Sequence, residues 1–105
     1  MITAEQIQEI LSLYNKHGWK LKRVLLSSKL KKHLNDSIET IFASGEIIKS
    51  EIDALWFSRA SGKDKEAWEL RRLSETPYAL FEIFEDADEE EVREEIRREM
   101  EAKLK

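Results

Sequence analysis

The amino-acid sequence predicts an α+β protein with N-terminal helices, an antiparallel meander sheet of three to four strands and a long acidic C-terminal helix. Three observations predict this class. Apolar residues recur at helical spacing near both ends of the chain. They alternate with polar residues in the middle, and turn signals containing Gly or Pro separate the alternating segments. The length of 105 residues predicts a single domain spanning 1–105.

The first predicted helix covers residues 3–18. Thr3 followed by Gln6 fits a capping box, in which each residue bonds the backbone N–H of the other. Gly18 suits the left-handed position that commonly ends a helix. Residues 19–26 then alternate at their start and predict a short strand, although the Val-Leu-Leu at its end also fits a helix.

A second helix is predicted over residues 27–45, with Ser28 as the candidate N-cap and Gly45 as the stop. The Asn-Asp-Ser in its middle is able to divide it into two shorter helices, because these side chains compete for backbone hydrogen bonds. Three strands are predicted next, over residues 46–60, 65–74 and 77–85.

The last predicted helix covers residues 86–105. Acidic residues crowd its first turn, where the helix dipole favours them. Its apolar stripe is narrow, and it consists of Val92, Ile96, Met100 and Leu104. The basic N-terminal third and this acidic end are expected to attract each other, within the fold or across a dimer.

The hairpin of residues 53–72 can be tested for register. A two-residue turn at Gly62 and Lys63 pairs Phe57 with Trp68, whereas a shift by one residue pairs Phe57 with Glu69. The first register gives better cross-strand pairs and is the prediction. It predicts a core face of Leu55, Phe57, Trp68, Leu70, Phe81 and Ile83, with Trp56 on the opposite side.

The opposite face would mix aromatic and charged side chains, and it is the predicted binding surface. Its site residues are Trp56, Glu69, Arg71, Tyr78 and Glu82. Aromatic residues with a polar tip are enriched at interfaces. Three interpretations remain open: a helix of the same chain covers the face, a second copy covers it in a homodimer, or it recognises a ligand or a protein partner.

The sequence therefore predicts a small intracellular, non-catalytic binding or regulatory module, located in the cytoplasm and acting as a homodimer. The absence of cysteine excludes disulfides, thiolate metal sites and cysteine nucleophiles. No cofactor or metal site is predicted, because His17 and His33 have no ligand partner at a diagnostic spacing. No apolar run approaches the roughly 20 residues of a membrane span, so no membrane contact is expected.

Two alternatives belong to other functional classes. A nucleic-acid-associated accessory protein would use the basic residues Lys20, Lys22, Arg23, Lys29, Lys31 and Lys32. The sequence pI of about 5.3 disfavours this alternative. A small enzyme would use Glu69 and Glu82 as a carboxylate pair, with Arg71 separating their pKa values.

Overall fold

The computed structural model describes residues 1–105 and has the predicted α+β class. Its sheet has five strands, whereas the sequence predicted three to four. The elements in chain order are α1 (Ala4–Lys16), β1 (Lys20–Leu26), α2 (Ser28–Leu34), a 3₁₀ turn (Asn35–Ser37), α3 (Ile38–Ile41), β2 (Glu46–Lys49), β3 (Ala54–Ala60), β4 (Lys65–Arg72), β5 (Ala79–Glu85) and α4 (Glu90–Ala102).

The strands lie in the order β2-β1-β3-β4-β5. β2 runs parallel to β1, and all other neighbours are antiparallel, so the predicted meander forms β3, β4 and β5. The additional strand arises because the segment predicted as one strand breaks between Lys49 and Ala54. Asp53 lies in this break, and its carboxylate accepts hydrogen bonds from the backbone N–H and hydroxyl of Ser27, at 2.6 and 3.0 Å.

The local signals of the N-terminal half are mostly confirmed. Thr3 and Gln6 form the predicted capping box, with N···O distances of 2.9 and 3.2 Å. Gly18 has φ +83°. The predicted cap at Ser28 is wrong, because the hydroxyl of Ser27 accepts from the Leu30 N–H instead. The second helix is divided at Asn35, whose φ is +48°.

The predicted register of the β3–β4 hairpin is wrong by one residue. Phe57 pairs with Glu69, Trp56 with Leu70 and Ser58 with Trp68. The Ser61 N–H donates to the Lys65 carbonyl at 3.0 Å, which closes a loop of three residues instead of two. Because side chains alternate between faces, this single extra loop residue moves every β4 side chain to the other side relative to β3.

Both faces of the sheet are covered by helices of the same chain. On one face, Leu55, Phe57 and Ala67 pack into a core with side chains of α1, α2 and α3. On the other face, Trp56, Trp68, Leu70 and Phe84 pack into a second core with Met100 of α4. The two indoles therefore share a side of the sheet, with ring centroids 5.9 Å apart in an edge-to-face arrangement.

The six residues of the predicted core face therefore do not share one side of the sheet. Trp68 and Leu70 lie under α4, away from Leu55 and Phe57. Phe81 and Ile83 share the α1 side with Leu55 and Phe57, but they lie on the outermost strand and remain 52% and 43% exposed.

The face that α4 presents to the sheet also differs from the predicted apolar stripe. Val92 is exposed, whereas Arg97 is buried. The Arg97 guanidinium lies over the Trp68 ring at 4.0 Å and donates to a Glu90 carboxylate oxygen at 2.6 Å. None of the helices combines the length and the apolar character that crossing a membrane requires.

Candidate functional site

The structure places the five predicted site residues on different sides of the sheet. Glu82 pairs with Trp68 in the sheet register and therefore shares the α4 side with Trp56. Glu69 and Arg71 pair with Phe57 and Leu55 and lie on the α1 side. The mixed face that the sequence predicted is not formed, because it depended on the register that β3 and β4 do not adopt.

Trp56 is corrected from a surface residue to a core residue. Its side chain is 0% exposed, and its indole Nε1 donates to a Glu101 carboxylate oxygen of α4 at 2.8 Å. Of the three interpretations of this face, coverage by a helix of the same chain is the one that the structure supports at Trp56. A partner cannot reach this indole in the folded chain.

Glu69 has a structural partner. It accepts a hydrogen bond from the hydroxyl of Tyr14, whose ring stacks on Phe57 with centroids 4.0 Å apart. Burial raises the pKa of the Tyr14 hydroxyl well above its usual value, and the hydrogen bond to Glu69 raises it further. The hydroxyl therefore stays protonated and holds α1 to β4.

The carboxylate pair of the enzyme hypothesis is not formed. Glu69 and Glu82 lie on opposite faces of the sheet, so they cannot approach one substrate atom together. Arg71 shares the side of Glu69 and not that of Glu82. Tyr78 lies just before β5, where the Arg72 guanidinium stacks over its ring at 4.8 Å.

The six basic residues of the nucleic-acid hypothesis do not form one surface. Arg23 is occupied, because its guanidinium donates to both carboxylate oxygens of Glu94 at 2.6 and 2.9 Å. The five lysines are exposed and divide among three clefts: Lys20 and Lys22 near the start of β1, Lys29 beside the break before β3, and Lys31 and Lys32 beyond the end of β1. The seven residues of β1 span roughly 20 Å.

The strand β5 carries an exposed apolar surface that no other element covers, and it was not predicted from the sequence. Among the exposed large apolar side chains, Phe81 and Ile83 alone are next neighbours on one face of one strand. Trp19 packs edge-to-face against Phe81, with ring centroids 6.5 Å apart, and extends this apolar strip toward the core. A signal was present in the sequence: the last strand of a meander has no following strand to cover its outer side.

The backbone N–H and C=O groups of successive β5 residues point alternately toward β4 and toward solvent. The Arg72 N–H donates to the Tyr78 carbonyl and the Asp86 N–H to the Asp64 carbonyl, both at 2.9 Å. These bonds at the two ends of the pair fix the alternation, so the even-numbered residues of β5 bond to β4. The N–H and C=O groups of the odd-numbered residues therefore point away from the sheet.

The C-terminal end of this free edge is closed by hydrogen bonds within the chain. The outward N–H of Glu85 donates to Asp88 Oδ2 at 2.8 Å, and its carbonyl accepts from the guanidinium of Arg93. At the other end Pro77 has no N–H to offer. No loop or side-chain hydrogen bond reaches the outward groups that remain, and we call them, with their exposed side chains, the β5 edge: Ala79, Phe81 and Ile83.

Both charges surround the β5 edge: Arg71 and Lys65 of β4 pair with Ala79 and Glu85 in the sheet register, while acidic residues lie along β5 and beyond its end. Glu82 projects from the middle of the strand on the α4 side and forms no ion pair within 4.0 Å. Glu85, Asp86 and Asp88 follow at the end of the strand. Three donors and three acceptors on the backbone, two exposed apolar side chains and an unpaired carboxylate thus lie within one five-residue segment.

Comparisons with known proteins identify no family for this chain. No protein-family model, no curated protein and no solved structure matches it.

Proposed function

We propose that this chain is a non-catalytic protein-binding module, and that it binds an extended segment by adding it as a strand at the β5 edge. The observation that carries the proposal is the exposure of Phe81 and Ile83 on a strand whose outward backbone groups are free. Strand addition uses both features, since the backbone bonds supply affinity and the side chains of alternate residues supply specificity.

The arrangement of the rest of the sheet supports this choice of surface. Proteins commonly protect an exposed edge with short strands, charges or covering elements. The opposite edge, β2, is only four residues long. β5 is seven residues long, and its C-terminal end is capped while its centre is left open. The intracellular location expected from the sequence is part of this proposal.

A displayed library of random peptides tests the proposal directly, because it samples many extended segments at once. Peptides selected from it against the folded protein should protect the amides of Ala79, Phe81 and Ile83 from hydrogen exchange. The amides of Leu80 and Glu82 already bond to β4 and serve as internal references.

Two matched variants complete the test. Phe81→Ser should abolish binding of the selected peptides, whereas Leu13→Ser should leave it unchanged. Leu13 is a suitable control because it is similarly exposed, at 56%, but lies on α1. Selection of no peptide, or of peptides that bind Phe81→Ser as well as the parent protein, would contradict the proposed function.

The homodimer predicted from the sequence is the alternative use of the same edge. It can no longer use Trp56, which is buried beneath α4. At the β5 edge, a second copy would pair its own β5 with this one across a two-fold axis; a dimer through the C-terminal helices is the other mode that the sequence left open. Sedimentation velocity at micromolar concentration distinguishes this dimer from a monomer that binds other proteins.

A further inference from the structure

Resting on the proposed function, we propose that the partner strand is a basic amphipathic segment of another protein, with apolar side chains on one face and Lys or Arg on the other. The apolar face packs against Phe81 and Ile83. The basic face lies on the α4 side, beside Glu82. The edge is therefore selective for both the alternation and the charge of the strand that it accepts.

The apolar face of the proposed partner strand is inferred from the alternation of side chains along β5. Ala79, Phe81 and Ile83 project to the same side, because successive strand residues alternate between faces. A strand added beside β5 presents every second side chain to this side. Apolar residues at those positions would cover the two exposed side chains and continue the contact between Phe81 and Trp19.

The basic face of the proposed partner strand is inferred from Glu82. The three arginines that lie over the rings of Trp68 and Phe84 on the α4 side are already engaged: Arg23 bonds to Glu94, Arg97 to Glu90, and Arg93 to Glu66 and the Glu85 carbonyl. Glu82 pairs with Trp68 in the sheet register, is partly buried and forms no ion pair. A Lys or Arg on the added strand would supply the missing opposite charge, since opposite charges on neighbouring strands stabilise their pairing.

The same carboxylate disfavours a second copy of this chain. Two-fold pairing that places Phe81 beside Ile83 of the other copy puts the two Glu82 side chains directly opposite each other. In a second register, Phe81 of one copy lies opposite Phe81 of the other. Glu82 of each copy then lies opposite the apolar Leu80 of the other, and the two Glu82 carboxylates are diagonal neighbours. Like charges opposite each other destabilise strand pairing, and each copy has a net charge of -4.

The test uses capped synthetic peptides as probes. The first alternates valine and lysine, the second alternates valine and glutamate, and the third has the composition of the first but separates its valines and lysines into two blocks. Calorimetry at low ionic strength should give the alternating lysine peptide at least about tenfold tighter binding than either control. Added salt should weaken it, because salt screens exposed charges.

Two variants test whether Glu82 is the residue that causes the preference for the lysine peptide. Glu82→Gln should reduce the preference for the lysine peptide over the glutamate peptide severalfold, whereas Glu91→Gln should leave it unchanged. Glu91 is an exposed acid of α4 without an ion pair, so it controls for general attraction to an acidic protein. Bound lysine peptide should protect the amides of Ala79, Phe81 and Ile83 from hydrogen exchange.

Each contrary outcome has a separate meaning. Equal binding of the lysine and glutamate peptides, or binding that does not protect the β5 amides, overturns the basic partner. A dimer that Phe81→Ser converts to a monomer also overturns it and identifies a second copy as the occupant. If library selection yields β5-binding peptides that are not basic, the partner assignment fails while the proposed function stands. If no selected peptide reaches β5, the function fails as well.

Discussion

At the scale of single residues, a buried arginine of α4 packs against aromatic rings of the second core. Arg97 is 2% exposed and donates a hydrogen bond to Glu90. Its guanidinium carbon lies 4.0 Å from the centroid of the Trp68 ring and 5.3 Å from that of the Phe84 ring. A buried charge is costly unless it is paired and hydrogen-bonded. The carboxylate partner and the two ring faces offset part of this cost, while the buried Nε of Arg97 has no hydrogen-bond partner. The apolar side chains of Ile96, Met100 and Leu104 supply the apolar contact between α4 and the sheet.

Trp56 is expected to be a major stabilising residue. Trp56→Ala removes a fully buried ring and leaves Glu101 without its indole donor, so it should lower the free energy of unfolding by about 3–5 kcal/mol. Urea denaturation monitored by circular dichroism measures this change. Tyr78→Ala is the control, because Tyr78 is 38% exposed and lies outside the strands. Equal losses in the two variants would refute the burial of Trp56.

At the scale of elements, the loop of the β3–β4 hairpin decides the architecture. Gly62 has φ +84° and Asp64 has φ +59°, so left-handed residues occupy both ends of the three-residue loop. Asp tolerates this conformation better than most residues. The observed register loses the favourable cross-strand pair of Phe57 with Trp68. It gains a buried apolar layer on each face, under the N-terminal helices on one side and α4 on the other.

The loop geometry predicts that Gly62 cannot be replaced freely. Gly62→Ala should cost roughly 1–2 kcal/mol of stability, because an L-residue at positive φ is strained. No heavy atom lies within 4 Å of the added methyl, so this cost is conformational and not steric. Thermal or urea unfolding should show the loss in Gly62→Ala and almost none in Lys63→Ala, the middle residue of the loop. Indistinguishable stabilities would contradict the assigned turn.

At the scale of the whole molecule, charge connects the two ends of the chain. The expected attraction between the basic N-terminal part and the acidic C-terminal part is realised within the fold, where Arg23 of β1 bonds to Glu94 of α4. Burial on its own would raise the pKa of Glu94. The hydrogen bonds and charge of Arg23, together with Arg97, more than offset this effect, so the pKa lies below its usual value of 4.5.

This pKa predicts how stability depends on pH. A carboxyl group whose pKa is depressed by folding contributes stability that is fully present above its unfolded value of about 4.5. That contribution is lost as the pH falls through the lower folded pKa. Glu94→Gln should therefore be less stable at neutral pH and should lose less stability on acidification below about pH 4.5. Urea unfolding across this range measures both effects.

Glu91→Gln provides the comparison for this prediction, because Glu91 is exposed on the same helix and forms no ion pair. Its unfolding free energy should follow the parent protein at every pH. A parent-like pH dependence in Glu94→Gln would mean that the Arg23–Glu94 contact does not contribute to stability.

The sequence predicted the elements better than it predicted their faces. The capping box at Thr3, the left-handed Gly18 and the acidic final helix are signals within a few residues of each other, and all three are present in the structure. The candidate site was not predictable in the same way. Trp56 and Glu69 were assigned to one face through a register that a single loop residue reverses.

The sequence by itself thus determined the α+β class, the approximate positions of most helices and strands, and the acidic character of the C-terminal third, because these depend on local spacing and composition. The tertiary structure alone decided which side chains are accessible. Trp56 is buried because α4 covers its face, and Phe81 is exposed because β5 is the last strand of the sheet. Accessibility depends on contacts between distant segments, and a local pattern does not specify those contacts.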